Sequence, residues 1–301
     1  MIAYKLEENE RHMEPFVQNF DPDFYKTLYS DIKNFSDDNA FRHFIKYGIV
    51  EGRICSSLSH RKEFIKHFNY ERAISVLEIG PFNNPIFTGK NVKYFDVLSS
   101  ENLKVRCKDI GLESTRVPEV IHFVDPNGNL SIVNEKFELV IASHVIEHQP
   151  DLVSFLINVK SLLTSDGVAA FIVPDKRFCF DHYIPTSNIL DVLSSYVSKD
   201  KTHSLYKFFL HRLHTVHNDP VLHWWGGWHG NLNLTKERFM DALDEWNRNR
   251  FKYIDVHSWF FTPLSLFRIF QSLRDLGLFN YKSIEIFNTP KNQLEFCFYF
   301  K

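Results

Sequence analysis

The sequence predicts a doubly wound α/β domain preceded by a small helical module, on three observations. From residue 73 onward, short apolar runs are separated by helical or loop segments, the pattern of βαβ units around a parallel sheet. The runs are apolar throughout, as strands covered on both faces are. Residues 14–55 carry helical periodicity instead. A chain of 301 residues, 44% hydrophobic, can bury one sizeable core with room for an appendage. The expected division is a module over 1–60 and a main domain over 61–301, with an insertion at about 175–250.

Five strands are expected in order: Ile74 to Ile79, Val92 to Val97, Val120 to Val124, Phe137 to Ala142 and Val168 to Val173. Between the fourth and fifth, Asp151 to Leu163 sets Leu152, Phe155, Leu156, Val159 and Leu163 on one helical face, and Ser165-Asp166-Gly167 reads as the turn that follows. After Val173 the alternation breaks for a stretch rich in His and Trp and resumes near Phe251, which places the insertion on the carboxyl edge of the sheet, where α/β proteins bind ligands. Thr262-Pro263 opens a helix carrying Leu266, Phe267, Phe270 and Leu273 that ends at Gly277. Tyr281 to Phe287 and Leu294 to Phe300 close the chain as a hairpin.

In the module, Asp21 is an N-cap with Pro22 at the first helical position, followed by Phe24, Tyr25, Leu28 and Tyr29 at helical spacing. A second helix near 39–47 presents Phe41, Phe44, Ile45 and Tyr47 and stops at Gly48. The residues Asp21, Pro22, Tyr25, Tyr29, Asp31, Gly48, Glu51, Gly52 and Arg53 make a pattern of about 40 residues that resembles a small module found beside bacterial glycosyltransferases. That resemblance implies a glycan setting and association with glycan-assembly enzymes.

Composition narrows the function. Lys and Arg total 35 against 37 Asp and Glu, a net charge of −2 that supplies no general field for a polyanion, so nucleic acid is not the expected partner. Cys55, Cys107, Cys179 and Cys297 form no CxxC pair, which points away from a disulfide framework or a thiolate zinc site and toward a reducing cytoplasm. The opening MIAYKLEENERH lacks the apolar run of a signal peptide, and no stretch holds 18 uncharged apolar residues. Of the 15 histidines, ten fall between His144 and His257, a clustering to be weighed as chemistry.

The segment VLEIGPFNNP, residues 76–85, puts an acidic residue at the end of an apolar strand and then Gly80, where a ligand can approach the backbone. On its own it also reads as a buried strand followed by a Pro-Asn turn. Asp96 follows the second strand, Asp125 the third, and FELVIASHVIEHQPDL, residues 137–152, supplies the fourth strand and its loop. In that order these segments resemble the motifs of class I S-adenosylmethionine-dependent methyltransferases over residues 73–301, although the family's usual run of glycines is reduced here to Gly80. The resemblance implies a seven-stranded Rossmann-like sheet and a cofactor held by Glu78, Gly80, Pro81, Asn84, Asp96, Asp125, Leu130 and Ser143. Asp96 would accept the ribose hydroxyls, Asp125 and Leu130 would flank adenine, and Glu78 would suit the cofactor's amino-acid end. A unit charge pair about 5 Å apart is worth about 3 kcal/mol at an effective dielectric of 20.

Methyl transfer to a hydroxyl needs alignment and removal of a proton, by a positioned base or by a metal that lowers the hydroxyl's pKa. His144, Glu147 and His148 form His-x-x-Glu-His where some relatives, including methyltransferases of ubiquinone biosynthesis and of small-RNA 3′ ends, carry Glu-x-x-Glu-His and bind a divalent metal. The resemblance makes these three a candidate metal set. His148 facing the substrate without a metal, or merely satisfying a carbonyl, are the alternatives.

Within the insertion, His217, Asn218, Asp219, His223, Trp224, Trp225, Trp228 and His229 fall within thirteen residues. Aromatic faces beside polar groups are suited to sugars. His217, Asp219, Trp224 and Trp228, with Asp175, Arg177 and His257 at strand ends, are therefore candidate substrate contacts, Arg177 as a phosphate holder. His144, His148, His223 and His229 are candidate catalytic groups. The expected function is O-methylation of a sugar hydroxyl in bacterial surface polysaccharide or nucleotide-sugar biosynthesis. The rivals are a methyltransferase for another small-molecule, lipid or protein acceptor, and a non-catalytic protein on a degenerate Rossmann fold.

Overall fold

A computed structural model describes residues 6, 8–68, 75–226, 228–232, 234–249, 252 and 254–301. Seven strands form one sheet: β1 (Val76–Ile79), β2 (Val92–Asp96), β3 (Phe123–Val124), β4 (Phe137–Ser143), β5 (Leu163–Pro174), β6 (Ile284–Ile286) and β7 (Glu295–Phe300). Their order is β3-β2-β1-β4-β5-β7-β6. The first five strands are parallel, and β7 runs antiparallel to both β5 and β6. The order reverses between β1 and β4, and the crevice outside their carboxyl ends is where open α/β sheets bind ligands.

The sheet is doubly wound, as expected from its uniformly apolar strands. Leu77, Ile79, Phe95, Val140, Ala142, Phe171 and Phe298 face a core shared with α5 (Leu152–Ser161), α6 (Ile189–Ser198) and α10 (Pro263–Asp275). Their strand neighbours Val76, Tyr94, Leu139, Ile141, Ile172 and Tyr299 face the other way, onto Phe64 and Ile65 of α3 (Arg61–His67). The period of two along each strand thus meets apolar side chains on both sides. α4 (Ser100–Asp109) follows β2 and buries Leu103 and Cys107 in a small cluster against Phe82 and Leu98. The helix ends follow their sequence signals: Asp151 accepts from the Ser154 amide at 3.1 Å, Thr262 and Ser265 form a reciprocal cap, and Gly277 takes a left-handed conformation after α10.

Several boundaries differ from expectation. β3 is an edge strand of two residues, and Val120, at its expected start, is exposed. Ser165-Asp166-Gly167 is a bulge inside β5, where the register jumps from Phe137 opposite Leu163 to Leu139 opposite Val168. The closing hairpin is shorter than expected, because 288–294 crosses to the 49–53 and 175 segments through Asn288, Thr289 and Leu294. Ile74 and Phe251, the expected start of the first strand and end of the insertion, lie outside the described residues.

The insertion is helical. α6 packs between α5 and α10 as part of the sheet's covering layer. α7 (Leu205–His214), α8 (Pro220–Trp224) and α9 (Lys236–Asn249) follow, and α7 and α9 bury Phe208 and Ala242 together with Ile254 and Val256 in a satellite core. Among the described residues no helix is long and apolar enough to cross a membrane.

The N-terminal pattern is explained by packing. Asp21 caps α1 (Pro22–Leu28), and Ser36 caps α2 (Asp37–His43), which runs on as a wider turn over Phe44–Gly48. Arg53 makes a two-pronged pair with Asp31 at 3.0 and 2.8 Å and lies over the Tyr29 ring, whose hydroxyl accepts from the Ile54 amide. Tyr25, Phe44, Ile49 and Cys55 join the core beside the sheet. Gly48 is fixed by space: a Cβ there would sit 2.5 Å from the Tyr25 hydroxyl and 2.6 Å from the Phe44 ring. Gly48→Ala should therefore overpack this joint, at a cost of about 1–3 kcal/mol, and lower the melting temperature by several degrees. An unchanged thermal unfolding curve would contradict the packing described.

Candidate functional site

The loops leaving β1, β2 and β4 build one side of the crevice. Gly80 has φ +68°, and a Cβ on it would lie 2.6 Å from Cγ2 of Val145, so glycine is required for the loop after β1 to approach the loop after β4. Two non-glycine residues at the same edge, Phe82 and His144, also hold positive φ, 43° and 55°. Such strain is retained where surrounding structure over-determines it, and it clusters at ligand sites.

Asp96 ends β2, nearly buried, and accepts from the Leu98 amide at 3.0 Å. Burial pushes its carboxyl up to about 6, against the lowering effect of the amides of Leu98, Val97 and Phe82. Glu78 lies differently from expectation. Its two oxygens accept the amides of Ile86 and Phe87 at 2.7 and 3.1 Å, and burial pushes it up to about 7. It organises the loop after β1, so its carboxylate is already engaged by that loop and is not the free counter-charge the sequence suggested. Pro81 is buried, Asn84 is exposed, and the Asn84 amide donates to the Pro81 carbonyl. Asp125 accepts from the amides of Asn127 and Asn129 and shapes the turn after β3. Leu130, expected to flank adenine, is 1% exposed and belongs to the core. Ser143 accepts from Arg61 at 3.0 Å.

Beyond Ser143 the chain turns sharply and brings a set of ionisable groups together. Glu147 is fully buried, and neither carboxylate oxygen has a hydrogen-bond partner. His144 Nδ1 lies 3.5 Å from Glu147 Oε1, and His148 Nε2 lies 3.9 Å from it. The far nitrogens face carboxylates: His144 Nε2 is hydrogen-bonded to Glu295 at 2.8 Å, and His148 Nδ1 lies 3.0 Å from Asp255 as an ion pair. Burial alone would lower both imidazoles, but these carboxylates and Glu147 hold them above the usual value. His257 joins from the segment before α10, with Nδ1 2.6 Å from Asp181 and its ring edge-on to His148. One donor atom each from Glu147, His148 and His257 lies within 4.8 Å of the others. The compact trio therefore contains His257 where the sequence suggested His144, whose Nε2 is committed to Glu295.

The insertion residues divide. His182, His223 and His229 gather into a second cluster, with His217 stacked on His223 at 4.1 Å and Trp228 on His217 at 4.9 Å. Several expected substrate contacts are spent on structure instead. Asp219 caps α8 through the amides of Val221 and Leu222. Asp175 is fully buried, and its two oxygens take Arg177 and the Thr289 hydroxyl, so Arg177 is paired and Asp175 saturated. Trp224 stacks on Phe178 at 3.9 Å and donates to the Gln293 carbonyl.

Neither a protein-family model nor a curated protein matches the chain. Solved structures do. An S-adenosylmethionine-dependent methyltransferase from Clostridium acetobutylicum is 17% identical over 50% of this chain and 62% of that one, with a TM-score of 0.30. The glycopeptide N-methyltransferase MtfA complexed with sinefungin is 16% identical over 37% of this chain and 53% of that one, with a TM-score of 0.27. The DhpI–SAH complex is 11% identical over 92% of this chain and 93% of that one, with a TM-score of 0.39. The chain thus spans less than two thirds of the first two, and at these identities and TM-scores the likeness carries no argument about chemistry.

Arg61, Asp181, Asp255 and Glu295 also belong to the site, though no motif of the sequence singles them out. Asp255-x-His257 and Asp181-His182 place an acid beside a histidine, a local signal for two of them. Arg61 and Glu295, which share a 3.0 Å contact across 234 residues, left none.

Glu78 and Asp96 give a pH prediction. Because burial raises both, the stability each contributes is complete below its ordinary value, 4.5 and 3.8, and is lost as pH rises through about 7 and about 6. Carboxyl carbon NMR of the ligand-free chain should show two midpoints near these values. Titration of every carboxyl near 4 would contradict the described burial.

Proposed function

We propose that this chain is an S-adenosylmethionine-dependent O-methyltransferase whose acceptor is a sugar hydroxyl of a bacterial surface polysaccharide or nucleotide sugar. The observation that carries the reading is a juxtaposition at the sheet's switch point: the Asp96 carboxylate and the Gly80 loop on one side, the buried Glu147–His148–His257 centre on the other. Donor-binding and proton-handling groups would then share the carboxyl edge of one sheet.

The donor fits the residues present in one respect and departs in another. Asp96, held at a strand end by loop amides, suits a pair of ribose hydroxyls. Glu78 is occupied by Ile86 and Phe87, so the donor's amino-acid end falls to the Gly80–Pro81 backbone. Asp125 and its turn border the adenine side, and Ser143 the β4 side. S-adenosylmethionine supplies a methyl group already activated by positive sulfur.

A divalent ion fits the second half of the site. A buried carboxylate with both oxygens unpartnered, beside two imidazoles whose outer nitrogens are held by Asp255 and Asp181, is the arrangement that supporting carboxylates give metal-binding histidines. Glu147, His148 and His257 would hold the ion, which lowers the pKa of a hydroxyl next to it. His144 then takes the acceptor's proton at Nδ1. Glu295, fixed by Arg61 at 3.0 Å, keeps the other ring nitrogen protonated and stabilises the imidazolium that forms. Trp225 and Trp228 are 68% and 53% exposed; one face of each is taken, by Lys291 and by His217, and the other is left to pack on a sugar ring. The four buried, free cysteines accord with work in a reducing cytoplasm.

Asp96→Ala removes a charged hydrogen-bond acceptor worth about 1.5–3 kcal/mol, so calorimetry should show about ten- to a hundredfold weaker S-adenosylhomocysteine binding with an unchanged circular dichroism spectrum. Equal affinity would defeat the donor assignment. Assayed on nucleotide sugars, His148→Ala should cut turnover at least about a hundredfold while donor affinity stays within about twofold. Unaltered turnover would remove His148 from the mechanism. Chelation should abolish transfer and added Mn²⁺ restore it; full activity after exhaustive chelation would refute the metal.

A further inference from the structure

The insertion contains a second imidazole centre that the methyl-transfer reading does not use. His182 lies in the segment after β5, His223 in α8 and His229 beyond it, and one ring nitrogen of each lies within 4.8 Å of the others. Their rings are stacked nearly parallel, His182 to His229 at 3.8 Å and 11° and His182 to His223 at 5.0 Å and 13°, so the rings must swing apart for their in-plane lone pairs to meet at one ion.

The hydrogen bonds fix two of the tautomers. A carbonyl oxygen only accepts, so His182 Nδ1 carries the proton toward Arg177 O at 2.7 Å, and His223 Nε2 carries it toward His217 O at 3.1 Å. His182 Nε2 and His223 Nδ1 therefore carry lone pairs, the latter accepting from His229 Nδ1 at 3.0 Å, and an ion would displace that shared proton. A tetrahedral ion with metal–nitrogen bonds of about 2.0–2.1 Å holds its ligands about 3.3 Å apart, so this spacing is close to what such an ion needs. Burial, with the neighbouring rings, lowers His182 and brings His223 down to about 4, which keeps these two imidazoles neutral at pH 7. Hydrogen bonds from the outer nitrogen to carbonyls are the usual supports of metal-binding histidine.

We propose that His182, His223 and His229 bind one zinc-class divalent ion through three imidazole nitrogens, with the fourth position left to water. An all-imidazole set favours zinc, copper or nickel over magnesium or calcium. The ion joins three positions across the 182–229 span and so clamps the loop around α8 to the segment after β5. The clamp reaches the site described above, because Asp181, the residue before His182, holds His257.

The test uses the full chain carrying Glu147→Gln, which disables the other metal centre and separates the two proposals. Stripped of metal and dialysed against buffered Zn²⁺, it should bind one ion per chain, and adding His182→Ala and His223→Ala should weaken binding by more than the about 10- to 100-fold that loss of a supporting partner costs. In the Glu147→Gln chain labelled with ¹⁵N-histidine, zinc should shift the ring nitrogens of three histidines, a result that does not depend on the alanine variants folding. No bound zinc in the Glu147→Gln chain, unweakened binding in the folded triple variant, or unmoved ring nitrogens would each overturn the site.

Discussion

Glu147 carries its carboxylate to a place with no solvent exposure and no hydrogen-bond donor of its own. A charge buried in that way costs several kcal/mol unless neighbours offset it. The surrounding groups are suited to do so: His144 and His148 approach one of its oxygens, His257 lies beside them, and Glu295, Asp255 and Asp181 steer the outer ring nitrogens. The backbone carbonyl of Glu147 meanwhile accepts the amides of Ser258 and Trp259. The turn after β4 and the chain returning from the insertion are thus joined at one residue, and the centre exists only when the two have docked.

The sheet explains why this happens at one edge. Reversal of strand order between β1 and β4 leaves a gap at their carboxyl ends, and the loops filling it come from opposite halves of the domain. Gly80 permits the contact with Val145 that brings the halves together, while the left-handed His144 swings the chain abruptly off β4 toward Glu295 on the antiparallel strand. A single edge therefore collects residues from β1, β2, β4, β7 and the insertion. Its carboxylates are assigned different tasks by their surroundings: Glu78 braces a loop, Asp96 stands at a strand end, and Glu147 waits among imidazoles.

The central strands were legible because both faces of the sheet are dry, so each strand reads as an apolar run whose extent the pairing changes little. Edge elements were not: β3 has one partner and shrinks to two residues, and the bulge at 165–167 has the composition of a turn. At the site, His144, Glu147 and His148 were visible as a local motif, whereas His257 meets them through a segment more than a hundred residues away. Glu78 was found at its position, but nothing in the sequence says that the loop folds back to spend both its oxygens. Asp219 and Asp175 show how far residue type goes: a helix cap or a buried ion-pair partner has the same residue type as a ligand contact. The N-terminal pattern is the easiest to explain: Gly48 and Arg53 meet Tyr25, Tyr29 and Asp31, and the spacing of these residues becomes a set of contacts.

The most direct measurement is a crystal structure of the chain grown with S-adenosylhomocysteine and Mn²⁺, with anomalous scattering collected at the manganese edge. The account predicts ribose hydroxyls within hydrogen-bond distance of Asp96, the sulfur directed toward His144, and an anomalous peak bounded by Glu147, His148 and His257. A nucleoside seated away from the β1–β4 gap, or a gap closed by side chains with no peak at Glu147, would contradict it.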